Sequence, residues 1–285
     1  MKELTVISGK GGTGKTSVTG SFAVLAEKHV LVDCDVDAAN LHLILSPQVL
    51  HRESFPGMPR VEIVTEKCTD CGLCQELCRY DTIVDGIVDE ISCEGCLVCY
   101  HACPEKAIRL VDNIAGEWYI SKTQYGPMVH ARLGIAQENS GKLVAEVRRR
   151  ATALAQEQDK DLIITDGPPG IGCPVISALG GSNLALVVVE PTLSSIHDLV
   201  RVLNLTEHFK IQTAVCINKW DINPENTIEI EEICQNRKVT LAGRLRYDPA
   251  VVVAAMEGKP VVRLPSTIAG DIESLWDCVR QELGV

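Results

Sequence analysis

The run ISGKGGTGKTS at residues 7–17 constrains this chain more than any other stretch. It holds the pattern G-x-x-x-x-G-K-[ST] as Gly9, Gly14, Lys15 and Thr16, follows the apolar run LTVIS (4–8) and opens a helical pattern from about Thr16 to Lys28. Strand, tight glycine turn and helix in that order form a phosphate-binding loop. The glycines let backbone N–H groups turn toward phosphate oxygens, and the helix N-terminus adds a favourable dipole. Gly11, Gly12, Thr13 and Ser17 complete the expected cradle. Lys15 is expected to pair with the β- and γ-phosphates of a nucleotide, and the Thr16 hydroxyl to ligate Mg²⁺.

Further short apolar runs follow: HVLVD (29–33), DLIITD (161–166), LALVVVE (184–190), TAVCIN (213–218) and VTLAGRL (239–245). Helical patterns lie around 141–158, 174–180, 194–209 and 224–236, and another closes the sequence at 270–283. Apolar strands alternating with helices predict an α/β fold, a mostly parallel P-loop sheet with helices on both faces. Residues 61–113 break that rhythm, so the expected division is a P-loop domain in two parts, 1–60 and 114–285, around an inserted module. EWYISKTQYGPMVHARL (117–133) is expected to form two strands about a turn at Gly126-Pro127.

The inserted module is dense in cysteine. C-x₂-C-x₂-C-x₃-C occurs twice with a shift of 25 residues, pairing Cys68, Cys71, Cys74 and Cys78 with Cys93, Cys96, Cys99 and Cys103, and Ile83 with Ile108. A duplicated small unit is the simplest account. Pro104 follows the last cysteine. This spacing is the two-cluster bacterial ferredoxin signature, in which the fourth cysteine of each run serves the other cluster. One 4Fe–4S cluster is thus expected on Cys68, Cys71, Cys74 and Cys103, the other on Cys93, Cys96, Cys99 and Cys78, within an α+β ferredoxin-like module. A zinc ribbon has no place for the third close cysteine of each run. Arg79 stands where the pattern usually has Pro after the fourth cysteine, and a cation there is expected to raise that cluster's potential. His101, between two ligands, is expected to be a surface or packing residue.

KGGTGKT, with the extra lysine Lys10, resembles the deviant phosphate loop of the MinD/ParA/Mrp group of ATPases. The resemblance continues through VDCDVDAANL (32–41), similar to switch I, and DLIITDGPPGIG (161–172), similar to Walker B running into switch II. It implies ATP hydrolysis controlled by dimerisation, with Lys10 reaching the partner's ATP. By motif position, Asp35 would orient the attacking water, Asp33 would lie near the metal, Asp166 would hold Mg²⁺ through water, and the Gly170 N–H would sense the γ-phosphate. INKWD (217–221) and RYDP (246–249) resemble the base-recognition segments, with Asn218 the better adenine candidate and Asp248 the weaker, since Asp-Pro also starts helices by capping. The resemblance covers about 1–60 and 117–285. With the module, the chain is similar to MinD/Mrp-type ATPases bearing an inserted ferredoxin domain, which implies a homodimer or a heterodimer with a paralogue, and a redox or metal-cluster acceptor protein as partner.

Charge and cysteine usage narrow the alternatives. Lys and Arg number 27 against 38 Asp and Glu, a net charge of −11, so neither nucleic acid nor an anionic membrane is an expected partner. The basic run Arg148-Arg149-Arg150 is expected to be a solvated helix face. No stretch approaches the ~20 apolar residues of a membrane span, and the opening MKELTVIS leaves no room for a signal peptide, so a cytoplasmic location is expected. Thirteen cysteines in a reducing compartment point to metal or redox chemistry. Cys173 is expected to be a buried free thiol, because the 134–143 segment GIAQENSGKL offers no second cysteine for a shared cluster. Cys34, Cys216, Cys234 and Cys278 are expected to pack in the core or on helices.

The reading is an ATPase switch that couples nucleotide state to electron transfer or cluster assembly on a partner. The alternative is a non-catalytic cluster carrier using nucleotide to set its shape. An amidating synthetase ranks last. MinD-like partitioning on a membrane is disfavoured because DIESLWDCVRQELGV (271–285) carries four acidic residues and one Arg.

Overall fold

A strand that is apolar on every residue needs cover on both of its faces, and the sheet obtains it. A computed structural model describes residues 1–134 and 140–285. The elements run β1 (Lys2–Ser8), α1 (Lys15–Leu25), β2 (His29–Asp33), α2 (Leu41–Leu45), β3 (Gln48–Pro56), β4 (Arg60–Ile63), α3 (Leu73–Glu76), β5 (Ile83–Val84), β6 (Ile87–Val88), α4 (Val98–Ala102) and β7 (Ile108–Val111). They continue with β8 (Ile114–Lys122), β9 (Pro127–Leu133), α5 (Ser140–Glu157), β10 (Leu162–Pro169), α6 (Cys173–Leu179), β11 (Leu184–Val189), α7 (Leu193–His208), β12 (Gln212–Asn218), α8 (Pro224–Arg237), β13 (Thr240–Leu245), α9 (Ala250–Met256) and α10 (Thr267–Leu283).

The main sheet has the order β13-β12-β11-β1-β10-β2-β9-β8-β3. Neighbours from β13 to β9 pair in parallel. The fold is α/β with a mostly parallel P-loop sheet, as the alternation of strands and helices predicts. Successive residues of β11 sort to opposite faces, as strand geometry requires: Leu184, Leu186 and Val188 join the core under α1 and α10, while Ala185, Val187 and Val189 join the one under α7 and α8.

Outside residues 60–113, three elements carry no sequence signal of their own. α2 is only five residues long, α9 (AVVVAAM) is apolar on every side and so shows no helical period, and β3 is mostly exposed along its length, so it lacks the apolar pattern by which strands are recognised. The turn at 123–126 is held by Thr123, whose hydroxyl donates to the Gly126 carbonyl at 2.8 Å, and Pro127 then opens β9.

The basic run on α5 is not the plain solvated face expected of it. Arg148 is largely buried and bonds Glu3 Oε1 at 2.6 and 3.0 Å and the Ser177 carbonyl at 3.0 Å, tying α5 to β1 and α6. Such a charge-assisted, multidentate bond is among the stronger polar contacts a protein makes. Arg149 and Arg150 pair with Glu146, and the Arg150 guanidinium lies 4.1 Å from the Trp118 ring centroid. Among the described residues, no helix is long and apolar enough to cross a membrane.

The chain divides into two compact units, Met1–Arg52 with Trp118–Arg132 and Ser140–Val285, and Glu53–Glu117 with Leu133–Asn139. In the second, β4 pairs antiparallel with β7, and β5 with β6, about a core of Val61, Ile83, Cys99 and Ile108. The 25-residue repeat is written into its backbone. α3 begins at Leu73 and α4 at Val98. Left-handed residues recur at the same shift: Asp70 with Gly95, Gly72 with Leu97, and Asp81 with Lys106. The Asp81 and Lys106 amides donate to the Cys78 and Cys103 carbonyls, both at 3.2 Å. His101 is exposed, and the Arg79 guanidinium lies over the Tyr80 ring. Residues 53–117 carry 13 Asp and Glu against five Lys and Arg, eight of the eleven net negative charges.

Two buried histidines make the first unit sensitive to acid. Burial, aided by Lys160, lowers His29 to about 4, and burial, aided by His42, lowers His130 to about 4. An unfolded histidine titrates near 6.5, so between these values the unfolded chain takes up protons that the folded chain refuses, and stability falls as pH falls. Each ring contributes a slope of about 1 kcal/mol per pH unit between pH 6 and 5. Buried Asp166, raised to about 6, acts in the opposite sense there, so a comparison with His29→Gln isolates the histidine. Urea unfolding should show a shallower acid decline in the variant; equal slopes would rule out this linkage.

Candidate functional site

The phosphate loop joins the end of β1 to the start of α1 near the centre of the sheet, where β1 lies in parallel between β11 and β10. Gly14 caps α1 with φ 94, and a Cβ there would fall 2.4 Å from Asn218 Nδ2, so backbone conformation and space both demand glycine. Gly9 is the second such position, since a Cβ on it would come within 2.3 Å of Asp198 Cβ on α7.

Lys15 is buried, and its charge acts on Asp35 and Asp166. Asp166, the fifth residue of β10, is 1% exposed. Its Oδ2 accepts from Thr16 Oγ1 at 2.7 Å and its Oδ1 from Thr19 Oγ1 at 3.1 Å. Burial raises its pKa to about 6 against the pull of Lys15. Asp33 lies opposite Asp166 in the β2–β10 register, and burial, with Asp166 alongside, pushes its pKa well up. Its two oxygens accept the Asp35 N–H at 3.1 Å and the Leu41 N–H at 3.2 Å, pinning both ends of the 35–41 segment. Asp35 is half-buried, its pKa raised by burial against the opposing charge of Lys15. A cleft of about 610 Å³ brings Gly11, Gly12, Gly14, Lys15, Thr16 and Ser17 together with Asp35.

Several expected residues are occupied otherwise than the motifs suggest. Gly170 N–H donates to the Ser8 carbonyl at 2.9 Å, so in this conformation it is spent on β1 and does not face a phosphate. Asn218 Nδ2 donates to the Thr13 carbonyl at 2.8 Å, bracing the loop from β12. Asp248 takes the capping alternative, accepting from Ala250 N at 2.9 Å and Ile268 N at 3.4 Å. Lys10 Nζ rests on Thr192 Oγ1 at 3.1 Å and Ser194 Oγ at 3.2 Å, with Glu190 at 3.9 Å. These partners lie some 180 positions away, and no local pattern announces them.

Cys173 is exposed at the first turn of α6, which corrects the expectation of a buried thiol. After Gly170 the chain runs along the surface before α6 turns inward at Val175. Of the cysteine-free segment 134–143, residues 135–139 lie outside the described residues. Cys34, Cys216 and Cys234 are buried, and Cys278 is half-buried.

The eight cysteines of the module gather in two places. Cys68, Cys71, Cys74 and Cys103 line one cavity. Around Cys99, whose thiol burial pushes up, the nearby cysteines are Cys93, Cys96 and Cys78. Backbone amides donate to sulfur at Cys68 (Asp70 N, 3.4 Å) and Cys103 (Ala107 N, 3.3 Å). Among the described residues, no three His, Cys, Asp or Glu side chains converge as a single metal ion requires.

The cleft fits a magnesium nucleotide. Among the described residues Thr13 Oγ1 is buried without a hydrogen-bond partner, Lys15 is a buried cation, and the N-terminus of α1 opens into the same space. Gly9→Ala should cost about 1–3 kcal/mol through the clash with α7 and lower nucleotide affinity, read by thermal unfolding with and without Mg·ATP. An unchanged melting temperature would refute the close packing.

A family profile for the CobQ/CobB/MinD/ParA nucleotide binding domain, CbiA, matches residues 4–261. The uncharacterized protein MJ0578 of Methanocaldococcus jannaschii is 34% identical over 233 residues, covering 79% of this chain and 80% of its own length. The septum site-determining protein MinD of a Synechocystis species is 27% identical over 270 residues, covering 91% and 81%. Among solved structures, MinD complexed with Mg-ADP from Pyrococcus horikoshii shares the fold with a TM-score of 0.61 at 21% identity, over 98% of this chain and 95% of that one. With its phosphate loop, buried Asp166 and parallel sheet, the chain belongs to the CobQ/CobB/MinD/ParA nucleotide-binding family of P-loop ATPases.

Proposed function

We propose that the chain is a dimerising ATP switch whose inserted module, residues 61–113, is a ferredoxin-like carrier of two 4Fe–4S clusters. Nucleotide state is coupled to electron transfer or cluster assembly on an acceptor protein. The observation that carries the reading is the coexistence, in one chain, of the Lys15–Asp166 cleft and two separate cysteine groups. Those groups divide as the two-cluster signature divides them, with Cys103 joining the first run and Cys78 the second. A cuboidal cluster is wider than one ion, so its thiolates need not converge on a point. Amide donors to sulfur suit thiolate ligands, and bound clusters would supply one-electron chemistry.

At the cleft, the loop amides and Lys15 bind the ATP phosphates, Thr16 ligates Mg²⁺, and Asp166 with Asp33 nearby supports that ion. Asp35 orients the attacking water, since hydrolysis depends chiefly on positioning. Asn218 lies close enough to the loop to meet the base. Gly170 reaches the γ-phosphate once switch II releases its bond to Ser8. Dimerisation is supported by exposed apolar groups: Leu43 at the cleft, and Val252, Val253 and Met256 on α9. Lys10 must leave Thr192 and Ser194 to cross to a partner subunit.

Anaerobically prepared protein should hold about eight iron atoms per chain, and replacing all eight module cysteines by serine should remove them. If iron binds but ATP turnover is the same with clusters reduced and oxidised, the coupling fails and the carrier alternative stands. Lys10→Ala should keep ATP binding and lose the ATP-dependent dimer. Light scattering with Mg·ATP decides this: a variant that still dimerises would dismiss the cross-subunit role.

A further inference from the structure

Hydroxyls within helices usually turn back on their own backbone, and this chain follows the habit. Ser21 donates to the Ser17 carbonyl, Thr152 to Arg148 and Ser274 to Gly270. Thr19 does the same toward Lys15 at 3.0 Å, and it also reaches Asp166 Oδ1 at 3.1 Å. It is fully buried, one turn beyond Thr16 on the same face of α1. The two threonines therefore hold the two oxygens of one carboxylate.

Their circumstances differ. Thr16 lines the cleft, so its oxygen is the one an ion entering with the nucleotide would draw on. Thr19 is absent from the cleft lining and fully buried, so its hydroxyl meets Asp166 from the protein side. A single hydroxyl proton cannot serve two acceptors fully. A charged Asp166 outbids a neutral carbonyl, because hydrogen bonds to ionised acceptors are the stronger ones. Without that donor, Asp166 would keep a single side-chain anchor, and that anchor is the group the metal engages.

We infer that Thr19 is a positioning residue for the ATPase, fixing Asp166 from the side away from solvent so that its other oxygen meets the Mg²⁺ shell. The inference rests on the proposed role of Asp166 at the ion. Thr19→Val keeps the volume and removes the hydroxyl, and Thr19→Ser keeps the hydroxyl. Mn²⁺, followed by electron paramagnetic resonance, is the probe of ion affinity in the full-length protein with ADP. Fluorescent ADP without metal reports whether the loop is intact.

The expected result is that Thr19→Val weakens Mn²⁺ about tenfold while metal-free ADP affinity changes less than twofold, and Thr19→Ser restores the ion. If Asp166→Asn weakens Mn²⁺ and Thr19→Val does not, the positioning role is overturned. If Asp166→Asn also leaves Mn²⁺ affinity unchanged, the role of Asp166 falls and takes this inference with it. Should Thr19→Val fail to fold, unchanged Mn²⁺ affinity in Thr19→Ala, which removes the same donor, overturns the proposal, and a tenfold loss there upholds it.

Discussion

The parallel pairing of β1 with β10, with Val6 opposite Asp166, is the constraint on which the nucleotide cleft depends. The glycine loop leaves the end of β1, and Asp166 lies within the buried run of β10, so one register sets the distance between the loop and this carboxylate. β2 pairs on the far side of β10 and brings Asp33 level with Asp166. A slip of one residue would turn Asp166 to the opposite face of the sheet, away from α1. Both faces of these strands are buried in different cores, so a slip would exchange two sets of side chains that are each packed against their own helices. Core packing and site geometry are in this sense one requirement.

That register also explains why two acids stand together in the buried interior. Both are pushed toward the neutral form, chiefly by burial. Such crowding is unfavourable for the empty protein and favourable once a divalent cation offsets the charge. Lys15, itself buried, offsets part of it from the loop. The cleft is thus assembled from groups that each need a partner of opposite sign, which is how a site can be poised for magnesium nucleotide before it arrives.

Much of this was legible in the sequence because the signals are local. LTVIS followed by GKGGTGK places strand, loop and helix without tertiary knowledge, and the apolar runs place the sheet. β3 carries no such pattern, being mostly exposed. The cleft was legible in part: Lys15, Thr16, Asp35 and Asp166 meet, whereas Asp248 caps α9, Gly170 bonds Ser8, and Cys173 lies at the surface. Those departures share a cause. A motif names a residue but not the side on which its backbone neighbours compete for it. Thr19 is the converse case, unmarked by any motif because only the distant Asp166 distinguishes it from an ordinary helical threonine. The cysteine run showed its duplication at once, yet it did not show that Leu97 accepts the left-handed backbone its copy gives to Gly72.

The chain leaves the parallel strands on β3 and comes back on β8, which are neighbours at one margin of the sheet. A segment whose two ends are already side by side can be gained or lost by recombination as a single cassette, leaving the order of the seven parallel strands untouched. Closing the gap it leaves asks only for a short connection, with a small entropic cost. The strands that carry the phosphate loop and Asp166 therefore keep their neighbours whatever the length of chain between β3 and β8.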